Sequence, residues 1–254
     1  MNQTDFALYE PISTLKPVHE NIWIADGPIV KMAMYGNSIP FPTRMTLVRL
    51  QNGDLWCHSP IAMTEGLQAE IDAIGPLRYL ISPNKIHYAH IGSWAKLYPE
   101  ATAWASPGVR ERAAQQHIQV RFDADLRDEV PPEWKDDLDQ VIVRGSRFMD
   151  EVVFFHRRSR TLILTDLIEN FELHKVPKSY KMLVRLGGIV DPDGKTPFDL
   201  QLTFLGRKDL AHIGFKQMLA WEPDKIILAH GRWYDRNGMA ELRRAFRWLG
   251  RGED

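Results

Sequence analysis

The apolar positions in the first third of the chain fall into short runs that are typical of β-strands. These runs cover residues 21–29, 44–60 and 77–82, and β-branched and aromatic residues are frequent within them. Asn52-Gly53 interrupts the second run, and this dipeptide favours a two-residue hairpin turn. We therefore expect three successive stretches of strand, the middle one folded into a hairpin.

A different period follows, in which apolar residues recur at spacings of three and four. Met63, Leu67, Ile71 and Ile74 form such a stripe, and Gly75-Pro76 ends it, so the sequence predicts an amphipathic helix over residues 63–74. The same alternation continues further along the chain. It predicts, in order, a helix at 92–100, a short strand at 101–106 and a helix at 107–117.

The second half of the chain repeats this pattern of strands and helices. Its predicted strands lie at 138–145, 151–167 and 224–231, and the basic turn 156–160 divides the middle one into two. Its predicted helices lie at 180–189, 207–221 and 238–249. Two β-rich halves, each with helices on the outside, predict an α/β (α+β) fold with the layer order of a four-layer αββα sandwich. We expect this sandwich to form a single domain over residues 1–254.

Composition restricts the partners that we expect. The chain has 254 residues, of which 44% are hydrophobic and 26% charged, and its formal net charge is −1. Such a balance gives no long-range field towards nucleic acid or an anionic lipid surface. The sequence also lacks an export signal and an apolar stretch of ~20 residues. We expect a cytoplasmic protein that acts on a small molecule, without nucleic acid or membrane partners; the oligomeric state stays open.

The cysteine content limits the possible metal ligands. Cys57 is the only cysteine, which excludes an internal disulfide and any site built from several cysteines. Histidine and carboxylate are then the ligands available. Cys57 itself lies on an apolar run, where a small buried side chain is expected rather than a reactive thiol.

Three predicted strands end in potential metal ligands. Residues 77–82 lead to His87 and His90, 161–165 to Asp166, and 225–229 to His230. Strand ends place side chains at a crevice in α/β folds, so these residues are expected to converge. Imidazole and carboxylate suit one divalent ion, zinc first, with iron or manganese as alternatives. The alternative interpretation is that each residue caps a turn or pairs with a buried backbone group.

The order of these motifs resembles the metallo-β-lactamase superfamily of hydrolases over residues 20 to 250, and within it a branch described as domain of unknown function 4336. In that superfamily one strand leads into His-x-His-x-Asp-His and a later turn supplies a third histidine. Another strand ends in a bridging aspartate, and a last one ends in histidine-glycine. The resemblance implies a sandwich with metal held between the two sheets.

This chain departs from the superfamily pattern at several ligand positions. In "KIHYAH", His87 and His90 match the motif, whereas Lys85 and Ala89 stand where a histidine and the aspartate belong. Asp166 matches the bridging aspartate and His230 the final histidine. The turn that should carry the third histidine offers Arg147. The resemblance thus implies that the first metal site is lost and that His90, Asp166 and His230 keep one open site, with His87 as fourth ligand or support.

The substituted positions have two interpretations. Lys85 and Arg147 are either ordinary surface cations at a pocket rim or fixed charges that clamp an anionic substrate group in place of the missing metal. The loop 231–238 follows His230 directly, so Trp233 and Tyr234 are expected to line a substrate cleft.

Two further residues are expected to support the site. His58 ends the strand that precedes the first helix and either backs the ligands or is a buried histidine bonded to backbone. Asn84 is expected to shape the turn before His87 through its side-chain amide.

Three functions remain in competition at this stage. The first is a metal-dependent hydrolase with a reduced, mononuclear site, in which Asp166 also orients or deprotonates the attacking water. The second is a catalytically degenerate relative that binds a small anion or a protein partner. The third is a redox role for a bound iron. The sequence names neither the substrate nor the pathway.

Overall fold

The computed structural model of the protein describes residues 6–34 and 37–250, and side chains in these ranges other than those of residues 32–38. Within these ranges the chain forms two β-sheets and seven α-helices. The strands are β1 (Lys16–His19), β2 (Ile22–Met34), β3 (Asn37–Arg49), β4 (Leu55–His58), β5 (Leu77–Ile81), β6 (Thr102–Ala105), β7 (Ala124–Asp125), β8 (Leu138–Val143), β9 (Glu151–His156), β10 (Thr161–Ile163) and β11 (Lys225–Ile227). The helices are α1 (Glu65–Ile74), α2 (Ile91–Leu97), α3 (Val109–Gln115), α4 (Lys181–Gly187), α5 (Phe198–Thr203), α6 (Lys208–Ala220) and α7 (Gly238–Ala245).

Strands β1 to β7 form the first sheet in sequence order. The pairs from β1 to β4 are antiparallel, and the pairs from β4 to β7 are parallel. The predicted hairpin is confirmed as the β3–β4 pair, but its turn is longer than two residues: the N–H of Leu50 donates to the oxygen of Asp54, and Gly53 within the turn has a φ of 91°. The second sheet has the order β11-β10-β9-β8, with β10 and β11 parallel and the other pairs antiparallel.

The helix predicted at residues 63–74 is confirmed, and its start is fixed by a cap. The Thr64 side chain accepts a hydrogen bond from the backbone N–H of Leu67, which satisfies one of the free donors of the first turn. The helix therefore begins at Glu65. Its buried residues, Leu67 and Ile71, belong to the predicted apolar stripe.

Alternating side chains divide the core into layers. Along β3, Leu47 packs towards the first helices and Val48 towards the second sheet, and along β9 Val153 and Phe154 separate in the same way. The core between the sheets includes Trp56 and Phe154, whose rings meet edge to face with centroids 4.8 Å apart. Residues from both sheets thus form one continuous inner layer.

The outer faces of both sheets are covered by helices. Residues of α1, α2 and α3 pack on the first sheet, and residues of α5, α6 and α7 pack on the second. The result is the four-layer αββα sandwich that the sequence predicted. None of the helices among the described residues is long and apolar enough to cross a membrane. The expected lack of an export signal concerns in part residues 1–5, which lie outside the described residues.

The structure differs from the predicted elements mainly where these are short. Strands β1 and β7 and helix α5 were not predicted, because two to six residues are too few to establish a period. Helix α4 ends at Gly187, two residues before the predicted end, because Gly188 takes a left-handed conformation with a φ of 68°.

Candidate metal centre

Three potential ligands meet between the ends of the two sheets. Donor atoms of His87, Asp166 and His230 all lie within 4.8 Å of one another. Ile163 of β10 and Ile227 of β11 are register partners, and Asp166 and His230 each follow three residues later. Parallel pairing therefore carries these two side chains to the same edge of the second sheet. His87 reaches the same place from the turn after β5 of the first sheet.

The contacts within this group are close. The Nε2 atom of His87 lies 3.1 Å from Oδ2 of Asp166, and Nε2 of His230 lies 3.2 Å from Oδ1 of the same carboxylate. All three side chains are buried to more than nine-tenths. Ligand atoms around a tetrahedral zinc ion, at bond lengths of about 2.0–2.1 Å, lie roughly 3.3 Å apart. The contacts of 3.1 and 3.2 Å between the carboxylate and the two imidazoles are close to that spacing.

The hydrogen bonds of His230 show that a cation fits at this position. Its Nδ1 lies 2.8 Å from the backbone oxygen of Pro42, which only accepts, so Nδ1 carries the proton. In the neutral imidazole Nε2 then carries a lone pair and can only accept. It faces a carboxylate oxygen of Asp166, which, when ionised, can only accept as well. Two acceptors in contact need a proton or a metal ion between them. The donor set therefore fits a metal ion.

Ser59 positions the other imidazole. Its Oγ lies 2.6 Å from Nδ1 of His87, and a φ of 53° at Ser59 turns the hydroxyl in this direction at the end of β4. A hydroxyl group can donate or accept a hydrogen bond. Ser59 therefore serves either tautomer of His87, including the one that presents a free Nε2 to a metal ion.

Asn84 connects the turn that carries His87 to the carboxylate of Asp166. Its Oδ1 accepts hydrogen bonds from the backbone N–H groups of Ile86 and His87, at 2.9 and 3.1 Å. Its Nδ2 donates to Oδ2 of Asp166 at 2.6 Å. One amide group thereby shapes the turn, as such side chains do in Asx turns, and orients a ligand carboxylate.

Glu151 anchors the chain around Asp166, a role that the sequence prediction missed. This fully buried carboxylate accepts hydrogen bonds from the backbone N–H groups of Thr165 and Asp166, at 2.7 and 2.9 Å, and from Asn84 Nδ2 at 3.1 Å. The available signal was an acidic residue at the start of the apolar strand EVVFF. Burial and the charge of Asp166 raise the pKa of Glu151, although the two N–H groups oppose that shift.

A buried arginine fixes the chain on both sides of His230. Arg44 of β3 donates from Nη1 to the backbone oxygens of Leu228 and Gly231, each at 2.8 Å. Its Nη2 lies 2.7 Å from Oδ1 of Asp26, and this ion pair is almost fully buried. Pro42, which accepts from His230, is on the same strand. One strand of the first sheet therefore positions a ligand of the second.

Glycine is required after His230. Gly231 has a φ of 86°, and a Cβ at this position would collide with the backbone of Asn170. The backbone N–H of Asn170 donates to the oxygen of His230 at 3.3 Å, and that of Arg232 donates to Asn170 at 2.7 Å. Close backbone packing thus explains the His-Gly pair that ends the last strand.

Electrostatic interactions within the group hold Asp166 ionised. Burial would raise the pKa of its carboxyl, but the charges and hydrogen bonds of His87 and His230 outweigh burial and keep that pKa well below its usual range. For His87, burial lowers the pKa, and the charge of Asp166 outweighs it, so the pKa is raised. An ionised carboxylate flanked by two imidazoles is a suitable ligand set for a divalent ion.

His90 lies apart from the group, whereas the sequence analysis placed it in the retained site and gave His87 the role of fourth ligand or support. The structure brings His87 to Asp166 and His230 and leaves His90 outside the group. His90 occupies the N-cap position of α2, where its side chain makes no capping hydrogen bond. Its Nε2 is buried and has no hydrogen-bond partner among the described residues, and burial lowers its pKa.

His58 is buried at the end of β4, behind the group. Burial, supported by the charge of His87, lowers its pKa to about 3, so the ring is neutral. The ring packs on Trp56 with centroids 5.7 Å apart, and Nε2 has no partner within the described part of the chain. His58 thus supplies an uncharged wall close to His87 and Asp166.

The residues expected to bind substrate differ in their exposure and in their contacts. The Nζ of Lys85 lies over the ring of Phe148, 4.6 Å from its centroid, and Arg147 is exposed with its guanidinium beside Gly206. Trp233 is half-buried against the core.

Tyr234 is a core residue, which departs from the expected place in a cleft. It is buried, and its hydroxyl accepts a hydrogen bond from Arg244 at 2.9 Å. The backbone of Tyr234 also pairs with that of Ile226 through two hydrogen bonds of 2.9 Å. Its ring is therefore not available to line an open cleft.

Comparison with known proteins gives a family and a fold. Residues 22–186 match the family model described as "Domain of unknown function (DUF4336)". No curated protein matches the chain.

Solved structures of the metallo-β-lactamase fold are similar over nearly the whole chain. The mono-zinc form of the metallo-β-lactamase FIM-1 from Pseudomonas aeruginosa is 13% identical, with a TM-score of 0.63, and the match covers 99% of this chain and 100% of that one. The metallo-β-lactamase DIM-1 is 14% identical, with a TM-score of 0.62 and coverages of 92% and 95%. A flavodiiron protein from Giardia intestinalis is 12% identical, with a TM-score of 0.62, and the match covers 93% of this chain and 59% of that one. At these identities the likeness shows the fold.

Proposed function

The chain belongs to the family described as domain of unknown function 4336, and from that premise we propose that it is a metal-dependent hydrolase with a mononuclear site. His87, Asp166 and His230 would hold the ion, with zinc as the first candidate and iron or manganese as alternatives. A divalent ion bound there supplies a Lewis acid and lowers the pKa of water. The family description itself assigns no activity.

The observation that carries this proposal is the contact between His230 and Asp166. Nδ1 of His230 is committed to the oxygen of Pro42, so in the neutral ring Nε2 turns a lone pair towards the carboxylate. A protonated ring would satisfy this contact as an ion pair, and a metal ion would satisfy it by accepting a lone pair from each side. Two acceptors held face to face beside a third donor residue, His87, are what a cation site requires.

The residues of the chain divide the work at this site. Asp166, held ionised, binds and orients, since a carboxylate of such low pKa is a poor base. Asn84 and Glu151 fix its direction through the hydrogen bonds described above. Ser59 sets the ring of His87, and the neutral His58 excludes water behind it. Three protein ligands leave a coordination position open for water or substrate.

The proposed substrate is small and carries an anionic group. Support comes from the rim, where Lys85, Arg144 and Arg207 all act on the pKa of Asp150, and Arg112 lowers that of Lys85. Because Arg144 is also paired with Asp128, these four cations face two aspartates, which leaves an excess of positive charge near the turn that carries His87. The reduced cysteine suits the expected cytoplasmic location, which belongs to this proposal.

The test begins with metal analysis of the protein purified without a chelator. We expect about one equivalent of a transition metal in the unaltered protein and less than about a tenth in the His87→Ala and His230→Ala variants. His90→Ala is the matched control and should keep its metal. Metal retained by His230→Ala but lost by His90→Ala would contradict the assignment.

Activity then separates a hydrolase from a degenerate binding protein. Esters, lactones, thioesters and phosphodiesters are screened with zinc, iron and manganese added separately. Turnover that Asp166→Ala abolishes, in a variant whose circular dichroism is unchanged, supports hydrolysis. A protein that binds metal and turns over none of these classes favours the degenerate alternative.

A further inference from the structure

An exposed apolar surface lies on the helices that follow the second-sheet strand β10. Among the described residues, eight of the eleven exposed large apolar side chains lie between positions 182 and 213. These residues, which we call the apolar face, are Met182, Leu183, Leu186, Phe198, Leu202, Leu205, Leu210 and Ile213. Concentrations of this kind are rare on proteins that have no partner.

The apolar face extends over three neighbouring helices. Helix α4 contacts α5, and α5 leads into α6 through a turn in which the N–H of Arg207 donates to the oxygen of Phe204. Phe198 and Leu202 lie one turn apart on α5, as do Leu210 and Ile213 on α6. Other residues of these helices are buried in the core, namely Val184 of α4, Leu200 of α5, and Ala211 and Met218 of α6, so the apolar face is additional to the core.

Helix α4 shows the pattern most clearly. Val184 is buried, whereas Met182 is 63% exposed and Leu186 71% exposed. Lys181 and Arg185 alternate with these side chains, one turn apart. A short helix with outward leucine and methionine beside lysine and arginine is typical of segments that lie in the interface of a membrane.

The charge around the apolar face is strongly positive. Residues 175–216 hold eight lysines and arginines against four aspartates and no glutamate, although the whole chain has a net charge of −1. Lys178, Lys181 and Arg185 form no ion pair within the part of the chain that the structure describes. The overall balance on which the expectation of no membrane partner rested therefore conceals a local excess of positive charge.

We propose that the apolar face docks on a lipid bilayer that contains anionic lipids. The apolar side chains would enter the acyl boundary while Lys178, Lys181 and Arg185 reach the headgroups with their charged ends. The charges complement those of acidic phospholipids. A second protein chain fits less well, because lysine is depleted at protein–protein interfaces, where its charge would be desolvated.

The first experiment is co-sedimentation with vesicles of phosphatidylcholine containing about a quarter phosphatidylserine. We expect binding to these vesicles, weaker binding to pure phosphatidylcholine, and loss of binding in about 1 M salt. Leu183→Gln with Leu186→Gln, and separately Lys181→Glu with Arg185→Glu, should each lower the partition constant at least about tenfold.

A matched control uses apolar residues that are equally exposed elsewhere. Leu97 and Ile118, which are 46% and 45% exposed, lie on or beside α2 and α3, on the opposite side of the sandwich. Leu97→Gln with Ile118→Gln should bind vesicles as the unaltered protein does. Melting temperatures within about 2 °C of the unaltered protein would show that all three double variants are folded.

A second measurement locates the contact directly. Cys57 is fully buried, and burial raises the pKa of its thiol, so a cysteine introduced at the surface can be labelled selectively. An environment-sensitive fluorophore on Leu186→Cys should shift to the blue when anionic vesicles are added. The same fluorophore on Leu97→Cys should not shift.

Two outcomes overturn the proposal. One is the absence of binding to anionic vesicles, or equal binding by every double variant. The other is a dimer seen by light scattering without lipid that the Leu183→Gln and Leu186→Gln substitutions dissociate, which would make the apolar face an interface between copies of the chain. Neither outcome depends on metal or on activity.

Discussion

Arg44 and Asp26 form a buried ion pair in the part of the first sheet that supports His230, and their Nη2 and Oδ1 atoms lie 2.7 Å apart. The same guanidinium holds the oxygens of Leu228 and Gly231, so it connects the two sheets next to a proposed ligand. The pair combines two tasks, stability of the sheet junction and placement of an imidazole.

Removal of the charge of Asp26 should destabilise the protein strongly. Asp26→Asn leaves the Arg44 guanidinium buried without a counter-charge, so we expect the free energy of unfolding in urea to fall by about 3–5 kcal/mol. The control is Asp125→Asn, which breaks the exposed pair with Arg110 and should cost less than about 1 kcal/mol. Equal losses in the two variants would refute the role given to burial.

Asn84→Ala should weaken metal binding without removing a ligand. The variant loses the hydrogen bond to Asp166 Oδ2 and the two that hold the turn at His87. We expect the dissociation constant for zinc, measured by competition with a chromophoric chelator, to rise about 10–100-fold. Asn52→Ala, at an exposed hairpin turn, should leave it unchanged. A rise in both variants would point to a general loss of stability instead.

Removal of the metal should lower the melting temperature. An ion that binds the folded chain alone stabilises it by about 2.7 kcal/mol at a free concentration of one hundred dissociation constants. Chelator treatment should therefore destabilise the unaltered protein and have no effect on His230→Ala. Differential scanning calorimetry with and without added zinc measures the difference. An unaltered protein indifferent to the chelator would speak against a metal centre.

His156, the last residue of β9, should make the stability of the protein depend on pH. Burial lowers the pKa of this histidine to about 4, from 6.5, and its Nδ1 pairs with Ser159. The unfolded chain binds the proton more tightly, so this contribution to stability is lost as the pH falls from about 6.5 towards 4. Between pH 7.5 and 5 the loss should be about 2 kcal/mol.

The variant His156→Gln tests this dependence. The difference in unfolding free energy between pH 7.5 and 5 should shrink by about the same amount, whereas His174→Gln, at an exposed position, should leave it unaltered. Identical pH dependence in all three proteins would show that His156 is not the group responsible.

Much of the fold followed from periodicity. The apolar stripe and the Gly75-Pro76 stop predicted α1, and Asn52-Gly53 between two apolar runs predicted the β3–β4 hairpin. The short elements β1, β7 and α5 depend on tertiary contacts, which no local pattern reports. The strand and helix pattern of the two halves, together with the resemblance, predicted the arrangement in two sheets that the strand pairing shows.

The candidate site was predictable to the level of strand ends. Asp166 and His230 follow paired strands at equal distances, which sequence position can indicate. The choice between His87 and His90 could not be made in the same way, because it depends on where α2 begins. Glu151 and Arg44 act through backbone groups remote in sequence, so no local motif marks them.

The contribution of His87 from one sheet and of Asp166 and His230 from the other has a mechanical consequence. A cation held by all three would cross-link the two layers, and neither sheet could peel away from its neighbour while the cation stayed bound. The rate at which a protease degrades the protein would then be set by the rate at which the cation dissociates, rather than by the equilibrium fraction of molecules that are locally unfolded.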